Sequence, residues 1–226
     1  MPTRRELLAG LTASFAGSIA ARANAETPVT SCVLTPSSGE GPYYFDPKLV
    51  RSDITERRPG VPFALDLRVV NAAGCSAMPK VRVDLWHADA RGVYSGYADQ
   101  FGNGDSADRA AKGATYLRGT QFADAEGKVT FRTIYPSWYR ARTPHIHFKV
   151  FLSDQEVVAS QLYFPDKISD RVYSTSSAYA PRKRGRDTYN DNDMFLRGGR
   201  VDGAFCEVAE SGSGYRGSVL IGIAPE

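Results

Sequence analysis

Pro144-His145-Ile146-His147-Phe148-Lys149-Val150 alternates polar and apolar side chains. A period of two marks a strand with one face in the core. Ile146, Phe148, Val150 and Leu152 then share the core face. His145 and His147 share the other, with Cα atoms roughly 6.6 Å apart at the usual strand rise. Two imidazoles at that spacing can converge on one metal ion, and this reading ranks ahead of two polar residues on a solvated strand face. The chain has one other histidine, His87.

The same period recurs on both sides of this stretch. Phe63, Leu65 and Leu67 alternate with Ala64, Asp66 and Arg68 within 61–69. Val81, Val83 and Leu85 alternate with Arg82 and Asp84, and Val129 and Phe131 follow the turn Asp124-Ala125-Glu126-Gly127. Segment 157–164 and the series Val219, Ile221, Ile223 complete the set. Short alternating runs bounded by turn residues predict an all-β domain, most simply a β-sandwich of antiparallel or mixed sheets with long irregular loops. Helical periodicity is scarce; 106–112 has room for a turn or two. Irregular stretches are expected at 98–114 and 165–200, a length that usually marks functional or mobile loops.

The first 25 residues read as an export signal. Arg4 and Arg5 precede an apolar stretch from Leu7 to Ala21, and Ala23-Asn24-Ala25 has the A-x-A form of a cleavage site. The stretch is too short to span a bilayer, which takes about 20 apolar residues. Thr3-Arg4-Arg5 followed by Leu7-Leu8 resembles the twin-arginine signal, an address read by export machinery. Residues 26–226 then form a single domain, periplasmic or secreted, with no membrane anchor. The segment 1–25 carries three basic residues and one acidic, so the formal charge of +3 falls by two to +1 without it. The run Arg182-Lys183-Arg184-Gly185-Arg186 is short and followed by Asp187, Asp191 and Asp193. It reads as a solvated loop, and no nucleic-acid partner is expected.

Cys32, Cys75 and Cys206 allow at most one internal pair. None has C-x-x-C spacing, which argues against a zinc–thiolate site. Three histidines are too few for a copper–zinc dismutase site. A cupin places a glutamate three to four residues after its H-x-H, where this chain has Val150 and Phe151. A facial triad of two histidines and a carboxylate stays open, since the carboxylate can come from elsewhere.

Five ordered blocks carry a resemblance. They are Glu40-Gly41-Pro42-Tyr43-Tyr44, the segment from Asp84 to Tyr94 (DLWHADARGVY), the segment from Phe131 to Tyr139 (FRTIYPSWY), Arg142-Thr143-Pro144-His145-Ile146-His147-Phe148, and Gln161-Leu162-Tyr163-Phe164. Together they resemble the intradiol ring-cleavage dioxygenases, the catechol 1,2- and protocatechuate 3,4-dioxygenase family. The helical N-terminal dimerisation region of the catechol branch has no counterpart, so the chain is most similar to the short exported members. Homo-oligomerisation stays open. Ser137 stands where the family often has glycine.

The resemblance implies one Fe(III) per chain, bound by Tyr94, Tyr139, His145 and His147, with a catecholic small molecule and O2 as substrates. It implies that Tyr94 stays bound and that Tyr139 is the displaceable ligand that takes a catechol proton. Arg142 would contact substrate and stabilise developing negative charge, Gln161 would assist, and Tyr43 would line the pocket. His87 would be a neighbour of the site. The implied reaction opens the ring between its two hydroxylated carbons, giving a cis,cis-muconate. The competing readings are an Fe(II) extradiol-type oxygenase and a non-catalytic β-sandwich that binds catechols or metal.

Overall fold

The computed structural model describes residues 32–98, 100, 110–180, 185–196 and 204–224, all within the compact unit Ser31–Glu226. The expected signal, 1–25, and most of the expected turn at 106–112 lie outside the described residues. Eight strands form the framework: β1 (Pro62–Asn71), β2 (Arg82–Trp86), β3 (Arg118–Phe122), β4 (Lys128–Ile134), β5 (His145–Leu152), β6 (Gln155–Tyr163), β7 (Glu207–Ser211) and β8 (Gly214–Ile223). They pair into two four-stranded sheets, in the orders β4-β1-β8-β7 and β3-β2-β5-β6. The second sheet is wholly antiparallel. The first is mixed, because β1 pairs in parallel with β8, Phe63 opposite Tyr215 through Asn71 opposite Ile223.

The inward faces meet in one core. Phe63, Leu65, Leu67 and Val69 of β1 join Val83 and Leu85 of β2, Ile146, Phe148 and Val150 of β5, and Val219, Ile221 and Ile223 of β8. Burying a side chain of this size contributes roughly 1.5–3 kcal/mol. The strands read from alternating apolar residues are all present. β3 and β7 were not expected: β3 reads Arg-Gly-Thr-Gln-Phe and β7 Glu-Val-Ala-Glu-Ser.

The expected irregular stretch 165–200 is only partly irregular. It opens with helix α1 (Asp166–Thr175), which fully buries only Ser169 and Val172, with Ile168 and Tyr173 partly buried against the core. No helix among the described residues is long and apolar enough to cross a membrane.

The disulfide joins Cys32 to Cys75, and Cys206 is free and buried. The bond ties the N-terminal segment to the turn after β1. From there the segment runs on to residues 40–46, which lie over the outer face of the second sheet. Tyr44 donates to Asp84 at 2.8 Å and sits under the Lys149 ammonium, 3.9 Å from its ring centre.

Candidate metal centre

The outer face of the second sheet carries one rung of chemistry. Arg118 of β3 pairs with Trp86 of β2, Trp86 with His147 of β5, and His147 with Gln161 of β6. Cross-strand partners project to the same face. His145 lies two residues before His147, opposite Tyr163. Tyr94 arrives from the loop after β2, and Tyr139 and Arg142 from the connection between β4 and β5. That connection holds a tight turn, in which the Arg142 N–H donates to the Tyr139 carbonyl at 3.1 Å. Ala141, at its tip, takes φ 62°, a left-handed conformation unusual for a residue with a Cβ. The turn sets Tyr139 and Arg142 side by side.

Four donor atoms converge. His145 Nε2 lies 3.2 Å from Tyr94 Oη, 3.1 Å from Tyr139 Oη and 3.1 Å from His147 Nε2. His145 Nδ1 is 2.7 Å from the Thr143 carbonyl. A carbonyl only accepts, so Nδ1 carries the proton and Nε2 offers a single lone pair. One lone pair cannot serve three neighbours as a hydrogen-bond acceptor. Ligands bound at about 2.0–2.2 Å to a shared ion lie roughly 3 Å from one another, which is the spacing seen.

The surroundings hold the donors in place. The Trp86 indole stacks on His147 with centroids 5.0 Å apart and planes within 9°. Gly41, at φ 75°, passes beneath the same imidazole; a Cβ there would lie 3.1 Å from its Cε1. His147 Nδ1 has no hydrogen-bond partner among the described residues, so on that side the ring is oriented by packing. Tyr94 is gripped through its backbone: Gln100 accepts its N–H at 2.7 Å and donates to its carbonyl at 2.6 Å. Tyr43 stacks on Tyr94, centroids 4.7 Å apart. Arg142 donates to Gln161 Oε1 and, at 3.3 Å, to Tyr139 Oη. The seven residues singled out from sequence, Tyr43, Tyr94, Tyr139, Arg142, His145, His147 and Gln161, are thus joined by contacts into one cluster.

Burial holds both ligand-type imidazoles well below their ordinary pKa, with the Arg142 cation adding to the effect. Burial also raises the phenols of Tyr94 and Tyr139. Neutral imidazoles present free lone pairs, as metal binding requires. The phenols need a cation to ionise them. Among the described residues, no three His, Cys, Asp or Glu side chains cluster as a metal site. The candidate donor set is two imidazole nitrogens, borderline donors, and two phenol oxygens, which once ionised are hard donors that suit a highly charged cation.

His87 is outside this set. Its Nδ1 lies 2.8 Å from the Ala88 carbonyl and its Nε2 2.7 Å from Thr133 Oγ1. Burial lowers its pKa to about 4. Below an unfolded pKa of about 6.5 the unfolded chain takes up a proton that the folded chain refuses until pH 4. Stability is therefore full above pH 6.5 and falls by about 1.4 kcal/mol per pH unit between 6.5 and 4. His87→Gln should flatten the acid limb of urea unfolding measured on metal-free protein. An unchanged slope between pH 6 and 4.5 would show that His87 does not carry this sensitivity.

Several site residues escaped the sequence reading. Trp86 lies within the segment from Asp84 to Tyr94, where its residue type alone does not mark it as the plate beneath His147. Arg118 is buried beside Tyr94's neighbour: it donates to Ser95 Oγ at 2.8 Å and to the Ser95 carbonyl at 2.7 Å, and its guanidinium packs over Phe45. Asp193, expected in a solvated loop, is buried against Arg142, and Arg186 of the same loop is almost fully buried.

The family described as Dioxygenase matches residues 39–185, more than half of the chain, and that span holds Tyr43, Tyr94, Tyr139, Arg142, His145, His147 and Gln161 but ends before Arg186 and Asp193. The chain belongs to the intradiol ring-cleavage dioxygenase family. An intradiol ring-cleavage dioxygenase from Tetranychus urticae superposes with a TM-score of 0.76 at 27% identity, covering 86% of this chain and 96% of that one. The dioxygenase domain of a dioxygenase–carbohydrate-binding protein fusion from Streptomyces sp. SirexAA-E gives 0.59 at 27% identity, covering 85% of this chain and 100% of that one. A chlorocatechol 1,2-dioxygenase of Cupriavidus pinatubonensis (strain JMP 134 / LMG 1197) is 26% identical over 149 residues, 55% of this chain and 52% of the relative. The chain spans about half the length of the curated relatives it matches. The two-sheet all-β architecture agrees with the fold class expected from the alternating strands.

Proposed function

We propose that the protein is an Fe(III)-dependent intradiol dioxygenase that opens a catecholic ring between its two hydroxylated carbons to give a cis,cis-muconate. The convergence of Tyr94 Oη, Tyr139 Oη, His145 Nε2 and His147 Nε2 carries this reading. Bound there, a ferric ion supplies Lewis acidity, ionising the phenols, binding catechol through its oxygens and drawing electron density from the ring. As phenolates, Tyr94 and Tyr139 would bring a trivalent ion to a net charge of +1; a doubly deprotonated catechol would overshoot to −1, so neutrality would require one phenolate to take up a proton.

The two tyrosines divide the work. Tyr94 is buried and pinned through its backbone by Gln100, which suits a permanent ligand. Tyr139 is only partly buried and sits on the Ala141 turn, which suits a phenolate that moves aside and holds a catechol proton on its Oη. Arg142 keeps a guanidinium 3.3 Å from that oxygen, facing the negative charge that develops as the ring opens. Tyr43, stacked on Tyr94, gives a flat wall for an aromatic substrate. The extradiol alternative needs a carboxylate beside the two histidines, and the described residues offer none there.

The disulfide between Cys32 and Cys75 supports the second part of the proposal, that the chain works in the periplasm or outside the cell, since such bonds persist in oxidising compartments. Export under a twin-arginine-type signal moves folded proteins, so iron would be loaded before export.

The test is direct. Purified protein should hold about one iron per chain, as one four-donor site implies, and absorb visible light through tyrosinate-to-iron charge transfer. With a catechol panel it should consume O2 and yield cis,cis-muconates. A colourless iron-loaded enzyme, or products cleaved outside the hydroxyl pair, would overturn the assignment.

A further inference from the structure

Arg142 is held from behind by a residue 51 positions later in the sequence. Its Nε donates to Asp193 Oδ2 at 2.9 Å, and the same oxygen accepts the Thr143 N–H at 2.8 Å. The other carboxylate oxygen accepts the Phe195 N–H at 2.9 Å. The Asp193 side chain is completely buried and that of Arg142 nearly so. The Phe195 ring covers the guanidinium, 4.2 Å from its central carbon. A guanidinium is planar, so fixing its Nε edge fixes where both terminal nitrogens point. Here they point at Gln161 Oε1 and Tyr139 Oη.

The loop that carries Asp193 is itself anchored. Arg186 pairs with Asp166 and, at 3.0 Å, with Asp170 of α1, and donates to Thr143 Oγ1 at 2.8 Å. Asn190 accepts the Thr143 hydroxyl at 2.9 Å and donates to the Phe164 carbonyl at 2.8 Å. A buried ion pair is weak evidence of a role in stability, because desolvation offsets its attraction. Its directional effect on Arg142 is the stronger rationale.

We propose that Asp193 is a positioning residue for the reaction: its buried carboxylate aims the Arg142 guanidinium at the Tyr139 oxygen and the ring bound beside it. The inference rests on the dioxygenase reading for its kinetic consequence but not for its geometry. Asp193→Asn keeps the shape and one oxygen for the Thr143 N–H but removes the charge opposite Nε. It should leave iron content, the visible band and KM for catechol near parental values and lower kcat roughly ten- to a hundredfold, as loss of a supporting partner typically does. In an Arg142→Ala background the same change should have almost no further effect, since the residue it aims is gone. In metal-free protein, NMR should find the parental Arg142 Nε–H slowly exchanging and the Asn variant's fast. Asp193→Glu, which keeps the charge but displaces it, should also lower kcat with iron retained, and serves if the Asn variant does not fold.

A parental kcat in Asp193→Asn, additive losses with Arg142→Ala, or an Arg142 Nε–H that exchanges fast in the parent would each overturn the proposal. If the parent protein does not open catechol at all, the dioxygenase reading fails instead, and the NMR comparison still decides whether Asp193 holds Arg142.

Discussion

His147→Ala is expected to yield a folded protein that binds iron at least about 100-fold more weakly and has lost its colour. Perturbing even the partners of metal ligands costs roughly 10–100-fold, and this change removes a donor atom outright. The fold should survive, because His147 lies on the outer face of the second sheet while Ile146 and Phe148 on either side hold the core. Tyr139→Phe should behave differently. Tyr139 is the ligand proposed to leave the ion when catechol binds, so much of the iron should stay without it, while the oxygen proposed to take the catechol proton is gone. Loss of such proton transfer lowers turnover by about 10²–10⁴-fold. Iron analysis and single-turnover kinetics on both variants separate the roles. A Tyr139→Phe enzyme with parental turnover, or a His147→Ala protein with full iron, would contradict the division of labour proposed above.

Arg142→Ala is expected to keep iron, colour and catechol binding while losing about 10²–10³ in kcat, the usual cost of deleting a preorganised partner of developing charge. KM should change far less than kcat, because the guanidinium acts on charge absent from the bound ground state. An equal loss in kcat and in iron content would instead make Arg142 a structural support of the Tyr139 turn.

The framework was legible because its strands carry their own period. The alternating residues of β1, β2, β5 and β8 are the residues that fill the core. β3 was not legible because its packing depends on a small residue: a Cβ on Gly119 would come within 2.6 Å of Ile54 Cγ2. Helix α1 was hidden because it is short and its apolar face is narrow, with only Ile168, Val172 and Tyr173 against the core and Ser169 Oγ 2.9 Å from the buried Tyr135 hydroxyl. The candidate site was legible where ordered blocks converge. Asp193 was not, since in sequence it looks like one of several acids after a basic run. Only the tertiary fold reveals that this acid, unlike Asp191, is buried.

The parallel pairing of β1 with β8 has a consequence for how the chain is made. The four strands that carry the candidate metal centre lie within residues 82–163 and meet through antiparallel neighbours. The other sheet places its last strand in its interior, between β1 and β7. Until residue 223 is synthesised, β1 lacks one of its two neighbours and the core lacks Val219, Ile221 and Ile223. Such long-range pairing forms slowly and leaves apolar edges exposed meanwhile. On the ribosome, the sheet bearing the histidines can assemble early, while the opposite layer stays open to chaperones until the final strand emerges.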